Sequence, residues 1–382
     1  MRIGIEGQRL YRKKKHGMDM LALELIKNLQ IIDKINEYVI FVKPDIDNSC
    51  IPKAPNFKII ELSEGMYHPN WEQIALPKAA KSEGCDILHC TSNTGPIFCK
   101  IPLITTLHDI IYLESISILK KGGTWYQKIG NMYRRWTVPS IARKSKRVVT
   151  VSNFEKEQII NSMDLGSKLV TIYNGVGKHF TKITDEVALI NVKEKYQLPD
   201  EFILFIGNTD PKKNTANVLK AYADYITLTT SNTKLVIIDF EERKLIQLLN
   251  DIGHPEIIKN IITIGYVPNN ELPSIINQCK LFLYPSLRES FGIPILEGMA
   301  CGVPVITSNT SSMPEIAGDA AVIVDPTKPE EIRDAIIHIL NDINFHDSLC
   351  EKGIERSKLF SWKTMAENYL ELYKQVYRET KT

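Results

Sequence analysis

The chain alternates short apolar runs with stretches of helical periodicity almost from end to end, and that alternation leaves few folds open. Arg2–Glu6, Tyr38–Val42, Phe57–Glu61, Asp86–Cys90, Pro102–Leu107, Arg147–Val151 and Leu169–Ile172 read as strands. Between them, Met18–Ile32, Trp71–Lys81, Trp125–Arg143 and Asn153–Ser162 carry apolar residues at helical spacing. Strand, helix, strand in this order is the signature of a parallel sheet, because parallel neighbours need a crossover between them. The pattern weakens from Val176 to Pro199, around the loop-like Gly177–Lys182, and a domain junction belongs there. A second series follows: Phe202–Ile206, Lys234–Ile238, Ile261–Ile264, Leu281–Tyr284, Val303–Thr307 and Ala321–Val324. The expectation is an α/β chain of two doubly wound Rossmann-like domains, residues 1–180 and 181–361. Ligands bind outside the carboxyl ends of strands in such sheets. A last helical stretch, Trp362–Tyr377, closes the chain.

Composition narrows the class. With 382 residues, 43% hydrophobic and 24% charged, the chain can bury a core in each domain. No apolar run approaches the ~18 residues of a membrane span, and Met1–Glu6 reads as a charged strand and not as a leader. Seven scattered cysteines without a C-x-x-C read as reduced thiols, so a cytoplasmic location is expected. The net charge of +2 hides an asymmetry: residues 1–180 hold 26 Lys and Arg against 17 Asp and Glu, the remainder 21 against 28. The excess clusters at Arg9–Lys15, at Lys120, Lys121, Lys128, Arg134 and Arg135, and at Arg143–Arg147. Such patches suit peripheral contact with an anionic membrane at the inner face, or an anionic acceptor; solvated surface explains them equally well. Nucleic-acid motifs are lacking, so nucleic acid is not an expected partner.

The densest chemistry lies in Glu289-Ser-Phe-Gly-Ile-Pro-Ile-Leu-Glu297, between the apolar runs Leu281–Ser286 and Met299–Thr307. It reads strand, loop, helix, strand. Pro294 suits a first helical turn, where its missing N–H costs nothing. Gly292 lets backbone approach a ligand closely, and the helix start offers unpaired N–H groups to an anion. Glu289 is expected in the loop and Glu297 in the first helical turn, one carboxylate reaching a sugar and the other reaching hydroxyls further along the same ligand. Two glutamates alone are better read as a solvated pair, since charged side chains are mostly exposed. Their company reverses that.

The segment resembles the E-x7-E signature of the GT-B retaining glycosyltransferases of family 4: Glu289, Phe291, Gly292 and Glu297 match it position for position. The resemblance continues in Thr106–Asp109, Val151–Phe154, Ile172–Val176, Phe205–Asn214, Pro314–Ala321 and Val324–Pro326, in the family's order. It implies the GT-B fold, two Rossmann-like domains facing each other across a central cleft, with the final helix (362–382) returning to the N-terminal one. It implies transfer of a hexose from a nucleotide-diphosphate sugar to a glycan or lipid-linked acceptor, as in cell-surface polysaccharide assembly, with retention. The N-terminal domain would take the acceptor and the C-terminal domain the nucleotide sugar. His108-Asp109 and Pro211-Lys-Lys-Asn214 resemble members that use GDP-mannose, favoured here over UDP-glucose or UDP-N-acetylglucosamine.

The leaving diphosphate makes stabilisation of negative charge the main demand. By resemblance, Lys213 and Lys212 bind the diphosphate, Gly17 approaches it through backbone, and His108 meets the sugar near the anomeric centre, with Asp109 orienting the imidazole. Glu289 binds the sugar's hydroxyls and Glu297 the ribose. Phe291, Gly292 and Ile293 present backbone from the same loop, Tyr266-Val267 marks the base pocket, and Asn208 stands where the family often has an arginine. Arg9, Lys15 and His16 are candidates for the acceptor side. No cofactor and no metal are expected: the one Asp-x-Asp, Asp45-Ile-Asp47, sits among turn residues. A catalytically idle GT-B subunit that binds a nucleotide sugar or a partner transferase is the alternative. A nicotinamide dehydrogenase fails, because Gly4-Ile-Glu-Gly-Gln8 stands where G-x-G-x-x-G would be needed.

Overall fold

The computed structural model describes residues 1–15, 17–63, 68–111, 125–207 and 209–381, with backbone alone for 68 and 125–129. His16, Asn208, Lys120 and Lys121 therefore lie outside the described residues, as does the side chain of Lys128. The chain forms two compact units, residues 1–175 with 362–382, and residues 176–361.

Among the described residues the first unit is built on seven parallel strands: β1 (Arg2–Gly7), β2 (Glu37–Val42), β3 (Phe57–Glu61), β4 (Ile87–Cys90), β5 (Leu103–Thr106), β6 (Arg147–Thr150) and β7 (Leu169–Thr171). Their order is β3-β2-β1-β4-β5-β6-β7, with Ile3 opposite Tyr38 on one side and Ile87 on the other. The order reverses at β1 and β4, and in open α/β sheets ligands bind outside the carboxyl ends at such a switch point. The helices are α1 (Gly17–Ile32), α2 (Leu76–Ser82), α3 (Trp125–Lys144) and α4 (Asn153–Ser162). Ser152 caps α4 by accepting from Glu155 N–H, which gives the Val151–Phe154 motif a framework role.

The stretch expected as one helix from Trp71 begins instead as a π-turn, Trp71–Ala75. Pro77 has no N–H for the Gln73 carbonyl and its ring crowds that group. The wider turn relieves both, with Leu76 N–H bonding Trp71 O.

The second unit has six parallel strands in the order β10-β9-β8-β11-β12-β13: β8 (Phe202–Phe205), β9 (Lys234–Ile238), β10 (Ile261–Ile264), β11 (Leu281–Tyr284), β12 (Val305–Ser308) and β13 (Val322–Val324). Here the order reverses at β8 and β11. The helices are α5 (Glu186–Tyr196), α6 (Thr215–Thr229), α7 (Glu242–Asp251), α8 (Leu272–Ile276), α9 (Ile293–Ala300), α10 (Met313–Ala317), α11 (Pro329–Asn341) and α12 (Ile343–Ser357). α5 falls in the segment whose pattern was weak. None of its residues is buried, so it prints no apolar stripe, and it stands on its caps: Asp185 accepts from Val187 and Ala188 N–H, and Gln197 closes it with φ +52°. The unit begins at Val176, a few residues before the junction read from the sequence, because Val176 N–H bonds Phe360 O (3.2 Å).

The final helix, α13 (Trp362–Lys381), packs on α1 within the first unit. It buries Met365, Tyr369, Leu372, Tyr373 and Val376, each worth about 2 kcal/mol in apolar transfer. Its two phenols need partners when buried and find them: Tyr373 Oη lies 2.7 Å from His89 Nδ1, and Tyr369 Oη 2.8 Å from Thr106 Oγ1. Burial pushes the His89 imidazole down to about 3, so this joint is held by a neutral ring.

Candidate active site

In the second unit the reversal of strand order brings together residues distant in sequence. Lys213 ends a short 3-10 turn after β8, Pro211–Lys213, started by Asp210, whose side chain accepts from Lys212 N–H. Tyr284 ends β11, and Glu289 lies in the following loop. Lys213 Nζ is 2.7 Å from Glu289 Oε1 and 2.8 Å from Tyr284 Oη. The ammonium also lies over the Tyr284 ring, 4.7 Å from its centroid. Lys213 and Glu289 are 15% and 14% exposed, so this is a nearly buried ion pair with an opening to solvent. Burial first, and the Glu289 charge second, push the Tyr284 phenol well up, leaving it a neutral hydrogen-bonding group.

The loop that carries Glu289 is pinned from several sides. Leu287 N–H donates to Lys212 O (2.7 Å), tying it to the β8 turn. Glu289 N–H donates to Ser311 Oγ (3.0 Å), and Ser312 Oγ donates to Glu289 O (2.9 Å) and Phe291 O (3.0 Å). The Phe291 ring is buried edge-on against Phe360, centroids 5.9 Å apart. Gly292 enters α9 with φ +96°, a left-handed conformation that penalises any Cβ. A geometric need thus joins the close-approach role read for Gly292. Pro294 occupies the first turn of α9 as expected.

Glu297 lies in the second turn of α9 and not the first, because Gly292 is the cap and Ile293 the first helical residue. Its side chain is partly buried, and burial pushes the carboxyl up to about 7. Lys212 stands apart from the Lys213 pair: it is half-exposed, with Nζ 3.7 Å from Asp210. Tyr266 is half-exposed after β10 and Val267 is buried beside it.

The first unit's strand ends are different in kind. Glu6, near the end of β1, is buried and accepts from Gln8 N–H (2.8 Å), Thr91 N–H (3.1 Å) and Thr91 Oγ1 (3.0 Å). His108, just past β5, is also buried. Its backbone N–H donates to Asn93 Oδ1 (2.6 Å) and its Nε2 donates to Thr91 O (2.8 Å), which leaves Nδ1 as the acceptor nitrogen. Burial holds the imidazole below its usual range. Asn93 and Thr91, and not Asp109, orient His108: the Asp109 carboxylate accepts from Ile111 N–H (3.3 Å) and shapes the turn. Gly17 opens α1 with empty space where a Cβ would stand, so backbone access there is unobstructed.

Two of the acceptor-side candidates are not free cations. Arg9 Nε lies 3.1 Å from the buried Asp19 carboxylate in the first turn of α1, and Lys15 pairs with Asp47. Asp47 is thus an ion-pair partner inside the supposed turn, while Arg12, Lys13 and Lys14 remain exposed.

Sequence reasoning missed several residues here. Tyr284 read only as the end of an apolar strand, although a tyrosine at the carboxyl end of a buried strand was the available signal. Ser311 and Ser312 lie in an unremarkable loop, and their role depends on the neighbouring β12. Glu72, in the π-turn, accepts from Tyr133 Oη (2.6 Å) and from Thr94 Oγ1, and burial pushes it up to about 7. Among the described residues, one group of potential metal ligands lies together, His346, Asp347 and Cys350 on α12, outside both strand-end clusters.

Comparison with known proteins adds three findings. Residues 189–356 match the family model "Glycosyl transferases group 1", and residues 43–178 match "Glycosyltransferase Family 4". The chain is 28% identical over 385 residues to the O-antigen chain mannosyltransferase B of Escherichia coli, covering 94% of this chain and 96% of that protein. In fold it is similar to sucrose-phosphate synthase from Thermosynechococcus elongatus (TM-score 0.75, 18% identity, 99% of each chain). It is similar also to Anabaena HepE in complex with UDP-glucose (TM-score 0.76, 15% identity, 98% of this chain and 100% of that one).

Proposed function

Because the chain belongs to glycosyltransferase family 4, with the GT-B fold, and is a hexosyltransferase, we propose that it moves mannose from GDP-mannose to a glycan or lipid-linked acceptor in cell-surface polysaccharide assembly. The mannosyl donor is favoured by the similarity to the E. coli mannosyltransferase across nearly the whole chain. UDP-glucose, held by the HepE neighbour, is the competing donor.

The observation that carries the assignment is the Lys213–Glu289–Tyr284 constellation at the β8/β11 reversal, next to the start of α9. A diphosphate leaving group needs fixed positive charge where its own charge develops. Lys213 supplies a cation already aimed by two partners, and the start of α9 adds the positive end of its dipole. We assign Glu289 to the sugar hydroxyls, Glu297 to the ribose, and Tyr266-Val267 to the base. Phe291, Gly292 and Ile293 set the loop, and Lys212 is a peripheral cation. In the first unit, His108 is assigned to the transferred sugar and Gly17 to a phosphate through its backbone.

Transfer proceeds with retention in this reading: the departing phosphate accepts the acceptor's proton, and no protein nucleophile is required. With these groups balancing the diphosphate, no metal is needed. No helix of the described residues is long and apolar enough to cross a membrane, and we place the enzyme in the cytoplasm, peripheral to a membrane that carries its acceptor.

The test is turnover of a panel of nucleotide sugars in EDTA. Release of mannose from GDP-mannose alone, lost in Lys213→Ala, is the expected result. Preference for a UDP-sugar would replace the donor assignment, and activity restored only by magnesium or manganese would overturn the metal-independent reading.

A further inference from the structure

We propose that the first unit holds a neutral saccharide in a cavity at the outer edge of its sheet, away from the reversal of strand order. This is a second sugar site that takes no part in the chemistry. It rests on the proposed reaction only for the source of the saccharide, the growing acceptor glycan. The binding itself is measurable without turnover.

The cavity, about 660 Å³, is lined by residues of the loops after β1 and β2 and of strand β3. That volume is ordinary for a small-molecule site, where about 300–1,000 Å³ is usual. Among the described residues β3 ends the sheet, two strands from β1 and so roughly 10 Å away at the usual spacing. A sugar seated here stands beyond one held at the β1/β4 reversal. The walls are built in advance of any ligand. Asp47 N–H donates to Tyr11 O (2.9 Å) and Cys50 Sγ to Leu10 O (3.3 Å), which ties the loop after β2 to the loop after β1. Gln30 of α1 donates to Pro52 O (2.7 Å) and holds the same loop from the other end.

The observation that points to a ligand is Tyr11. It is 3% exposed, lines the cavity, and its hydroxyl has no hydrogen-bond partner among the described residues. Buried phenols normally find one, because an unpaired buried hydroxyl is costly. The six other buried tyrosines of the described residues do: Tyr38 bonds Asp33, Tyr222 Thr233 O, Tyr225 Ser231, Tyr284 Lys213, Tyr369 Thr106 and Tyr373 His89. Burial first, and the Glu61 charge second, push the Tyr11 phenol up, so it is a protonated donor. The remaining lining says what it would donate to. Asn48 and Ser49 offer an amide and a hydroxyl, Lys53 and Glu61 offer opposite charges that cancel, and Ile51 and Ile59 offer apolar surface. An anion would meet the Glu61 carboxylate without an excess of cations, and a wholly apolar ligand would leave the phenol unpaired. A sugar satisfies all of these groups at once: its hydroxyls both donate and accept, and its C–H faces cover the isoleucines.

Calorimetric titration and saturation-transfer NMR of the full chain with α-linked mannotriose, in EDTA and without nucleotide, decide it. The wild type is expected to bind. Tyr11→Phe deletes the hydroxyl alone and should weaken binding about five- to tenfold, the worth of one hydrogen bond. Glu61→Gln should weaken it roughly tenfold or more, since a carboxylate accepts more strongly than an amide. Lys58→Gln, on the opposite face of β3 and paired with Glu83, should bind as the wild type does. Melting temperature separates a ligand group from a structural one. A hydroxyl without a partner holds nothing in the fold, so Tyr11→Phe should melt no lower than the wild type. Tyr11→Phe that melts clearly lower, or that binds mannotriose as tightly as the wild type, would overturn the proposal. So would wild type that binds neither mannotriose nor maltotriose, or Lys58→Gln that loses as much binding as Tyr11→Phe. Preference for maltotriose would keep the site and assign it a glucan. Mannotriose binding by a wild type that does not turn over GDP-mannose would strike the proposed reaction and leave the saccharide site standing.

Discussion

The two units share one plan, a parallel sheet whose order reverses near the middle, yet they equip the reversal differently. In the second unit the strand ends hold an ion pair open to solvent, Lys213 with Glu289, braced by a neutral phenol and two serine hydroxyls. In the first unit several polar groups close on one another by hydrogen bonds, Glu6 on Thr91 and Gln8 and His108 on Thr91 and Asn93, while Arg9 is ion-paired with Asp19. Charge placed at an opening is available to an incoming anion, whereas polar groups satisfied internally shape a surface. In the proposed reaction the second unit would stabilise the leaving diphosphate, and the first would orient one neutral imidazole.

The largest way to break this contrast is kinetic. Lys213→Ala should lower kcat for hexosyl transfer roughly 100- to 1,000-fold, the usual cost of losing a group aimed at transition-state charge. Glu72→Gln in the first unit should stay within a few-fold. Equal losses in steady-state assays would erase the distinction.

Next comes stability in the first unit. Asp19→Ala strands Arg9 in a nearly buried position and should cost about 3 kcal/mol in urea unfolding. A loss below about 1 kcal/mol would mean that solvent already satisfies the guanidinium.

Glu297 gives a pH-dependent test. Its folded value of about 7 exceeds the ordinary 4.5, so the fold holds the proton more tightly than the unfolded chain does. The resulting stability is fully present below pH 4.5 and is lost as pH rises through 7. Glu297→Gln should remove that slope, and its stability relative to wild type should rise by roughly 2 kcal/mol across this window. A flat difference in thermal melts between pH 5 and 8 would show the carboxyl to be well solvated. The smallest effect is expected at Gly292: alanine at φ +96° should cost about 1–2 kcal/mol of stability and weaken donor binding. An unchanged melting temperature would show that the loop adapts.

Strand positions were legible because most of these strands are buried on both faces and print as apolar runs, and the thirteen strands of the described residues lie within two residues of the stretches read from the sequence. Glu289, Gly292 and Pro294 were legible because their spacing and backbone demands are local. The Lys213–Glu289 contact was not, since its partners are 76 residues apart and meet only through the strand order. Helix α5 was missed because caps and not an apolar stripe define it. The basic stretch Arg9–Lys15 misled for a related reason: sequence shows charges, and Asp19 and Asp47 became partners only on folding.

Calorimetric titration of GDP into the wild type and Lys213→Ala, both in EDTA, tests the central claim most directly. The account predicts clear binding by the wild type and at least roughly tenfold weaker binding by the variant, the size expected for one charge-assisted contact. Equal affinity for GDP in the two proteins would contradict the assignment of the diphosphate to the Lys213 site.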